Sequence, residues 1–333
     1  LAAVVVWVSV RHVPESRDPG ATGRLDWAGA ALAAVGLAGV VYALTDGPGL
    51  GWTSSRILVA GLVGVAALAA FLVWERRTRN PMLPLDIFAS RQFSAANVVT
   101  FVVYGALGGS LFLLPIQLQQ VVGYSPLASG VALVPITVLM LLLSARAGRL
   151  SARIGPRLPM TLGPLLVAAG FALLARIGPG ASYLVDILPA SLVYGFGLTL
   201  TVAPLTATVL AAAPAEHAGV ASAVNNDVAR TAGLLAVAVL PVAAGISGAD
   251  ALQPDRFAGG FRTAMIIAAA LCVAGGLLSW LTIRNPEPQA ALDEEQVSVP
   301  AGPPAVGDGP YLNCPLNAPP PARQPSSRAS GRL

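Results

Sequence analysis

Eight apolar stretches, near 27–45, 57–74, 93–116, 127–145, 159–176, 185–210, 228–246 and 263–283, set the terms on which this chain can fold. Each is about 18 to 26 residues long, which is what a helix needs to cross a hydrocarbon core about 30 Å thick. Across all eight the only charged residues are Arg176, Asp186 and Arg230, each close to an end. A charge at the centre of a spanning helix costs about 2.5–3.5 kcal/mol, which accounts for that emptiness. The composition agrees: 55% of residues are hydrophobic and 11% charged, against about 25% charged in a soluble domain. Too few charges remain to cover a water-facing surface. A soluble enzyme, a nucleic-acid binder and a disordered regulator are excluded together, leaving an all-α integral membrane protein.

Residues 1–10 form a ninth, shorter apolar run. Ten residues rise only about 15 Å as a helix, half of a membrane. The run reads as the end of a truncated spanning helix, and the chain as a fragment whose upstream part is missing.

Arginine placement predicts the orientation, because all 20 basic residues are arginine. Segments 11–26, 75–92 and 146–158 and the tail from residue 284 carry fifteen of them; the alternate connections carry Arg56, Arg176, Arg256 and Arg262. Short cytoplasmic loops concentrate basic residues, so the rich side, with the C-terminal tail, is expected in the cytoplasm and the protein in the inner (plasma) membrane. The tail over 284–333 holds 11 of the 28 prolines and the acidic run Asp293-Glu294-Glu295, with no apolar period, and reads as disordered.

Four segments resemble one family. Leu25-Asp26-Trp27-Ala28-Gly29 opens the first long span. Trp74-Glu75-Arg76-Arg77, followed by Asn80-Pro81-Met82-Leu83-Pro84-Leu85, leaves the second. Gly123-Tyr124-Ser125-Pro126-Leu127-Ala128-Ser129-Gly130 joins the third to the fourth. Ala218-Gly219-Val220-Ala221-Ser222 with Asn225-Asn226 precedes the seventh. In this order, with this number of helices, the chain resembles the C-terminal part of a fourteen-helix drug:proton antiporter of the EmrB/QacA type, in the major facilitator superfamily. The resemblance implies an MFS-type bundle of eight full transmembrane helices plus the end of one. Residues 1–10 would close the sixth helix, 11–26 would be a cytoplasmic loop, and 27–92 would hold two inserted helices with a cytoplasmic linker. Residues 93–283 would be the six-helix C-terminal half, built from inverted three-helix repeats. Partners would be membrane lipid, an amphipathic small molecule, protons and the missing N-terminal half. The function implied is export of drugs or antibiotics by alternating access, the alternative being a non-transporting scaffold or the relic of a truncated gene.

Within the spans, Asn97, Thr100 and Tyr104 fall on one face of the third helix, and Gln117 lies near its end. Polar side chains in lipid turn toward a neighbour or a water-filled cavity, so these residues, with Asn225 and Asn226, are the substrate-cavity candidates. Asp227 and Arg230 are opposite charges at i and i+3, able to pair on one helix face, and are the gating or coupling candidates. Pro214 and Glu216 suit a first turn, so the helix that carries them is expected to begin near 214. Gly105-x-x-x-Gly109 is a close-packing signal between helices.

Gly148, Arg149, Arg153, Gly155 and Arg157 match the superfamily's cytoplasmic loop motif, except that Ala152 stands where the usual acid would be. The glycines allow a tight turn, and the arginines can neutralise the carbonyls of helix C-termini. Cys272 and Cys314 are too far apart to suggest a disulfide framework. No catalytic triad, P-loop, paired-carboxylate site or metal-ligand spacing is found, so no catalytic residue, metal or cofactor is expected, and no nucleic acid.

Overall fold

The computed structural model describes residues 2–12, 26–78, 81–213, 217–246 and 253–285. Predictions for the tail beyond 285 therefore lie outside the described residues, as does most of the 11–26 segment. Ten α-helices are described: α1 (Ala2–His12), α2 (Trp27–Leu50), α3 (Ser55–Arg77), α4 (Arg91–Gln120), α5 (Pro126–Ala132), α6 (Val134–Ile154), α7 (Arg157–Leu174), α8 (Leu188–Ala211), α9 (Ala218–Ala243) and α10 (Pro254–Thr282). A 3₁₀ turn, Leu85–Ala89, leads into α4, and a π turn, Tyr183–Ile187, leads into α8.

Local chemistry explains the helix starts. Asp26 accepts from the Gly29 N–H, Ser90 from Phe93 and Ser125 from Ala128, each satisfying a first-turn donor that has no partner within its own helix. Pro135 and Pro189 sit at N-terminal positions of α6 and α8, where no N–H is needed. The fourth apolar stretch is consequently two helices, α5 and α6, meeting at Leu133. Counting α5 with α6, and the π turn with α8, eight helical segments are long and apolar enough to cross a membrane.

Helices α4, α7, α8 and α10 hold the core. Phe93, Leu113 and Leu114 of α4 meet Met160 and Phe171 of α7, Tyr194 and Leu205 of α8, and Phe261 and Met265 of α10 in one buried cluster. The Phe171 and Tyr194 ring centroids lie 5.1 Å apart. Helix α4 packs on α9 and α10, α7 on α8 and α10, and α8 also on α6. Exchanging α4 with α8, α6 with α9 and α7 with α10 leaves these principal contacts unchanged, as two related three-helix units would require. Helices α2 and α3 form a separate antiparallel pair that touches the rest through α9.

Small residues set the crossings. A Cβ on Gly197 would stand 2.5 Å from the Val167 backbone nitrogen, and one on Gly108 would stand 2.5 Å from Gly233 Cα. Without a solvent-driven hydrophobic force between helices, such close approach is what holds a membrane bundle together. Of the α4 glycines, Gly108 thus meets the α9 backbone most closely, at Gly233. Of the expected pair, Gly109 packs tightly on Leu240, while Gly105 makes only ordinary contact with Ala232.

Candidate functional site

Three of the six cavity candidates come together. Asn225 of α9 donates from Nδ2 to Thr100 Oγ1 at 2.8 Å and to Asn97 Oδ1 at 3.2 Å, both on α4. Thr100 Oγ1 in turn donates to the Ala96 carbonyl at 2.9 Å, and Asn97 Nδ2 donates to the Phe93 carbonyl at 3.0 Å. Asn97 and Thr100 are buried, whereas Asn225 is half-buried at the open edge of the cluster. The helical period places the two α4 residues on one face. That Asn225 would meet them from 125 residues away needed the fold.

The other three candidates lie elsewhere. Tyr104 is half-buried on α4 and Asn226 is exposed, bonding only to the Ser222 carbonyl of its own helix. Gln117 is fully enclosed at the far end of α4, donating to the Ile177 carbonyl at 2.8 Å while its Oε1 has no partner. It ties α4 to the end of α7 and does not belong to the Asn225 cluster. The threonines of α8 also turn inward on their own helix: Thr199, Thr201 and Thr208 each bond the carbonyl four residues back.

Asp227 and Arg230 are both exposed, and among the described residues neither forms an ion pair or hydrogen bond. Residues 214–216 lie outside the described residues, and the described helix begins at Ala218. From that start, Asn225 lies about 10 Å and Arg230 about 18 Å along the axis at 1.5 Å per residue. Asn226, Asp227 and Arg230 fall within about 100° of the helix circumference, beside the face that Asn225 turns to α4. A polar cluster thus borders an exposed polar stripe on one membrane-crossing helix.

The loop motif is mostly helix. Gly148, Arg149 and Arg153 lie on the last turns of α6, and only Gly155 and Pro156 turn the chain. Gly155 adopts φ +83°, a left-handed conformation that favours glycine. The Asn285 side chain occupies the space a Cβ there would fill. Asn285 Oδ1 accepts from the Arg157 N–H at 3.1 Å, and Arg157 Nε donates to the Trp280 carbonyl at 2.9 Å. The guanidinium also stacks over the Trp280 ring, 4.1 Å from its centroid. Gln92 grips the same exit of α10 from α4: Nε2 donates to the Arg284 carbonyl at 3.0 Å and Oε1 accepts the Arg284 N–H at 3.1 Å. The motif's Arg157 therefore clamps the Trp280 carbonyl near the C-terminus of α10, whereas Arg149 and Arg153 are exposed and unpaired among the described residues. Gln92 and Asn285 carry no signal in the sequence beyond being polar residues at span ends.

Replacing Arg157 with alanine removes one charge-assisted hydrogen bond, worth about 1.5–3 kcal/mol at most, and one exposed cation–π contact, worth about 0.5–1 kcal/mol. A thermal melt followed by size-exclusion fluorescence should fall by a few degrees. Arg157→Lys should recover only part of that, because an ammonium cannot reproduce the planar stack.

The comparisons with known proteins fit this architecture. The family profile described as Major Facilitator Superfamily matches residues 1–238. The puromycin resistance protein pur8 of Streptomyces alboniger is 31% identical over 293 residues, covering 84% of this chain and 58% of that protein. The multidrug resistance protein Stp of Mycobacterium tuberculosis is 32% identical over 226 residues, 68% of this chain and 42% of that one. The tetracenomycin C resistance and export protein of Streptomyces glaucescens is 32% identical over 262 residues, 78% of this chain and 47% of that one. The chain spans about half the length of the curated relatives it matches. These relatives carry the names of resistance and export proteins, not of enzymes. With eight membrane-capable helical segments and a family profile that covers most of its length, the chain belongs to the Major Facilitator Superfamily.

Proposed function

We propose that this chain forms the C-terminal part of a fourteen-helix, proton-coupled exporter of the EmrB/QacA type, which moves an amphipathic drug or antibiotic out of the cell by alternating access. The observation that carries the reading is the α4–α9 polar cluster beside the exposed stripe of Asn226, Asp227 and Arg230. Such side chains on a membrane-crossing helix are costly against lipid and inexpensive against a water-filled path. Relatives named for antibiotic resistance and export support the substrate class, and their greater length supports an N-terminal half supplied by the rest of the protein. Asp227 and Arg230, unpaired among the described residues, are the gating candidates: two opposite charges that would find partners when the halves rock.

Drug accumulation in cells with and without the full-length gene tests the reading. Lower accumulation in expressing cells, restored by a protonophore, is the expected result. Unchanged accumulation would favour a non-transporting scaffold, and efflux indifferent to the protonophore would remove proton coupling.

The orientation is tested separately. Arginine bias puts the tail in the cytoplasm, so Cys314 should react with an impermeant maleimide only after lysis. Cys272 is fully buried on α10 and should react slowly in both conditions. Rapid labelling of Cys314 from outside intact cells would reverse the topology.

A further inference from the structure

Two of the segments that carry the family resemblance meet at the base of the α2–α3 pair. Trp74 Nε1 donates to both carboxylate oxygens of Asp26, at 3.0 and 2.9 Å, while Asp26 also accepts the Gly29 N–H at 2.8 Å. The next residue, Glu75, lies one position beyond the apolar run 57–74 and is only 3% exposed. Its Oε2 accepts the Leu83 N–H at 3.0 Å, but its Oε1 is buried with no hydrogen-bond partner. Asp26 lies close to that orphaned oxygen, across Gly29. Glu75 Oε1 and Asp26 Oδ2 each lie 2.8 Å from where a Cβ on Gly29 would stand, so the two carboxyl groups converge over the one residue without a side chain there.

Among the described residues, no cation compensates the pair. Arg76 and Arg77 on α3 are exposed, as are Asp86 on the 3₁₀ turn and Asp227 and Arg230 on α9, which packs against α2. Among the described residues, Asp26 is the one charged group that acts on Glu75. Two carboxylates sharing a site cannot both stay ionised without cost, and a buried acceptor without a donor adds to it.

We infer that Glu75 and Asp26 form a proton-binding site in which Glu75 carries the proton on Oε1 and donates it to the Asp26 carboxylate. The proton turns two repelling acceptors into a donor and an acceptor, and completes the hydrogen bonding of every carboxyl oxygen in the pair. Bound, it latches the start of α2 to the end of α3. As pH rises and the proton leaves, two bare carboxylates face each other and the latch loosens. This site is independent of which molecule the protein moves.

Trp74 reports on it directly, since its indole is bonded to Asp26. The test uses the full-length protein in lipid nanodiscs with every other tryptophan replaced by phenylalanine. Trp74 emission should show one pH-dependent transition. Glu75→Gln should abolish it, holding emission at the low-pH value, because a glutamine keeps the Leu83 contact and offers an N–H to Asp26. Infrared difference spectra of the otherwise native protein give a second readout: a protonated-carboxyl band that titrates in the wild type and is missing from Glu75→Gln. The inference is overturned by a wild-type protein with no pH-dependent transition, by a transition that persists in Glu75→Gln, or by infrared spectra that the substitution leaves unchanged. A transition that moves with sodium concentration would also overturn it, by placing a metal cation in the gap.

Discussion

Gly197→Val should all but eliminate well-folded protein. The new Cβ would lie 2.5 Å from the Val167 nitrogen and 2.9 Å from the Gly163 oxygen, both backbone atoms of α7. A flexible side chain could yield to a methyl group, but here whole helices must separate. Overpacking typically costs about 1–3 kcal/mol and more where neighbours are rigid. That is a large share of the roughly 5–15 kcal/mol that holds a typical native fold. Gly163 on α7 and Thr201 on α8 belong to the same crossing, so the damage should spread along the seam that joins the core helices. Monodisperse yield on size exclusion should fall several-fold. Gly219→Ala is the matched control: Gly219 is exposed near the start of α9 with open space where its Cβ would go. Alanine there should leave yield unchanged or raise the melting point slightly, because it is the better helix former.

Asn225→Leu should do the opposite, sparing the fold and damaging transport. Leucine is close in size but removes both hydrogen bonds to α4, at 2.8 and 3.2 Å. Interhelical hydrogen bonds in membranes are worth only about 0.6 kcal/mol each on average, so the bundle should survive. Losing two of them at the proposed path sets the expected drop in efflux near tenfold, since 1.4 kcal/mol is a factor of ten. Drug efflux by the full-length protein, normalised to the amount in the membrane, is the measurement. If Asn225→Leu transports normally, the cluster is only a packing contact.

The spans were legible in the sequence because a hydrocarbon core imposes length and bars charge, and both constraints act on each segment alone. Pairing between segments was not. Asn97 and Thr100 share a face by helical period, but Asn225 could have met any helix. Gly105 and Gly109 carried the visible spacing, yet helix rotation brings Gly108 against Gly233 instead. The motif left open which helix end Arg157 would meet; in the fold its Nε bonds the Trp280 carbonyl of α10 and its backbone N–H bonds Asn285. Arg149 and Arg153 look equivalent in the motif and reach nothing among the described residues, because they project from α6 before the chain turns. In the sequence Glu75 is only one polar residue of the segment that leaves the second span. Its burial against Asp26 arises from α2 returning alongside α3, a tertiary fact with no local signature.

The account turns on whether the α9 stripe faces a water-filled, drug-bearing path. Asn226→Cys in the full-length protein, with the other cysteines replaced, measures that directly through its reaction rate with a water-soluble maleimide in membranes. The predicted result is ready labelling that slows several-fold when a transported drug is present. A cysteine at 226 that stays unreactive, as one facing lipid would, or one whose labelling no transported drug alters, would contradict it.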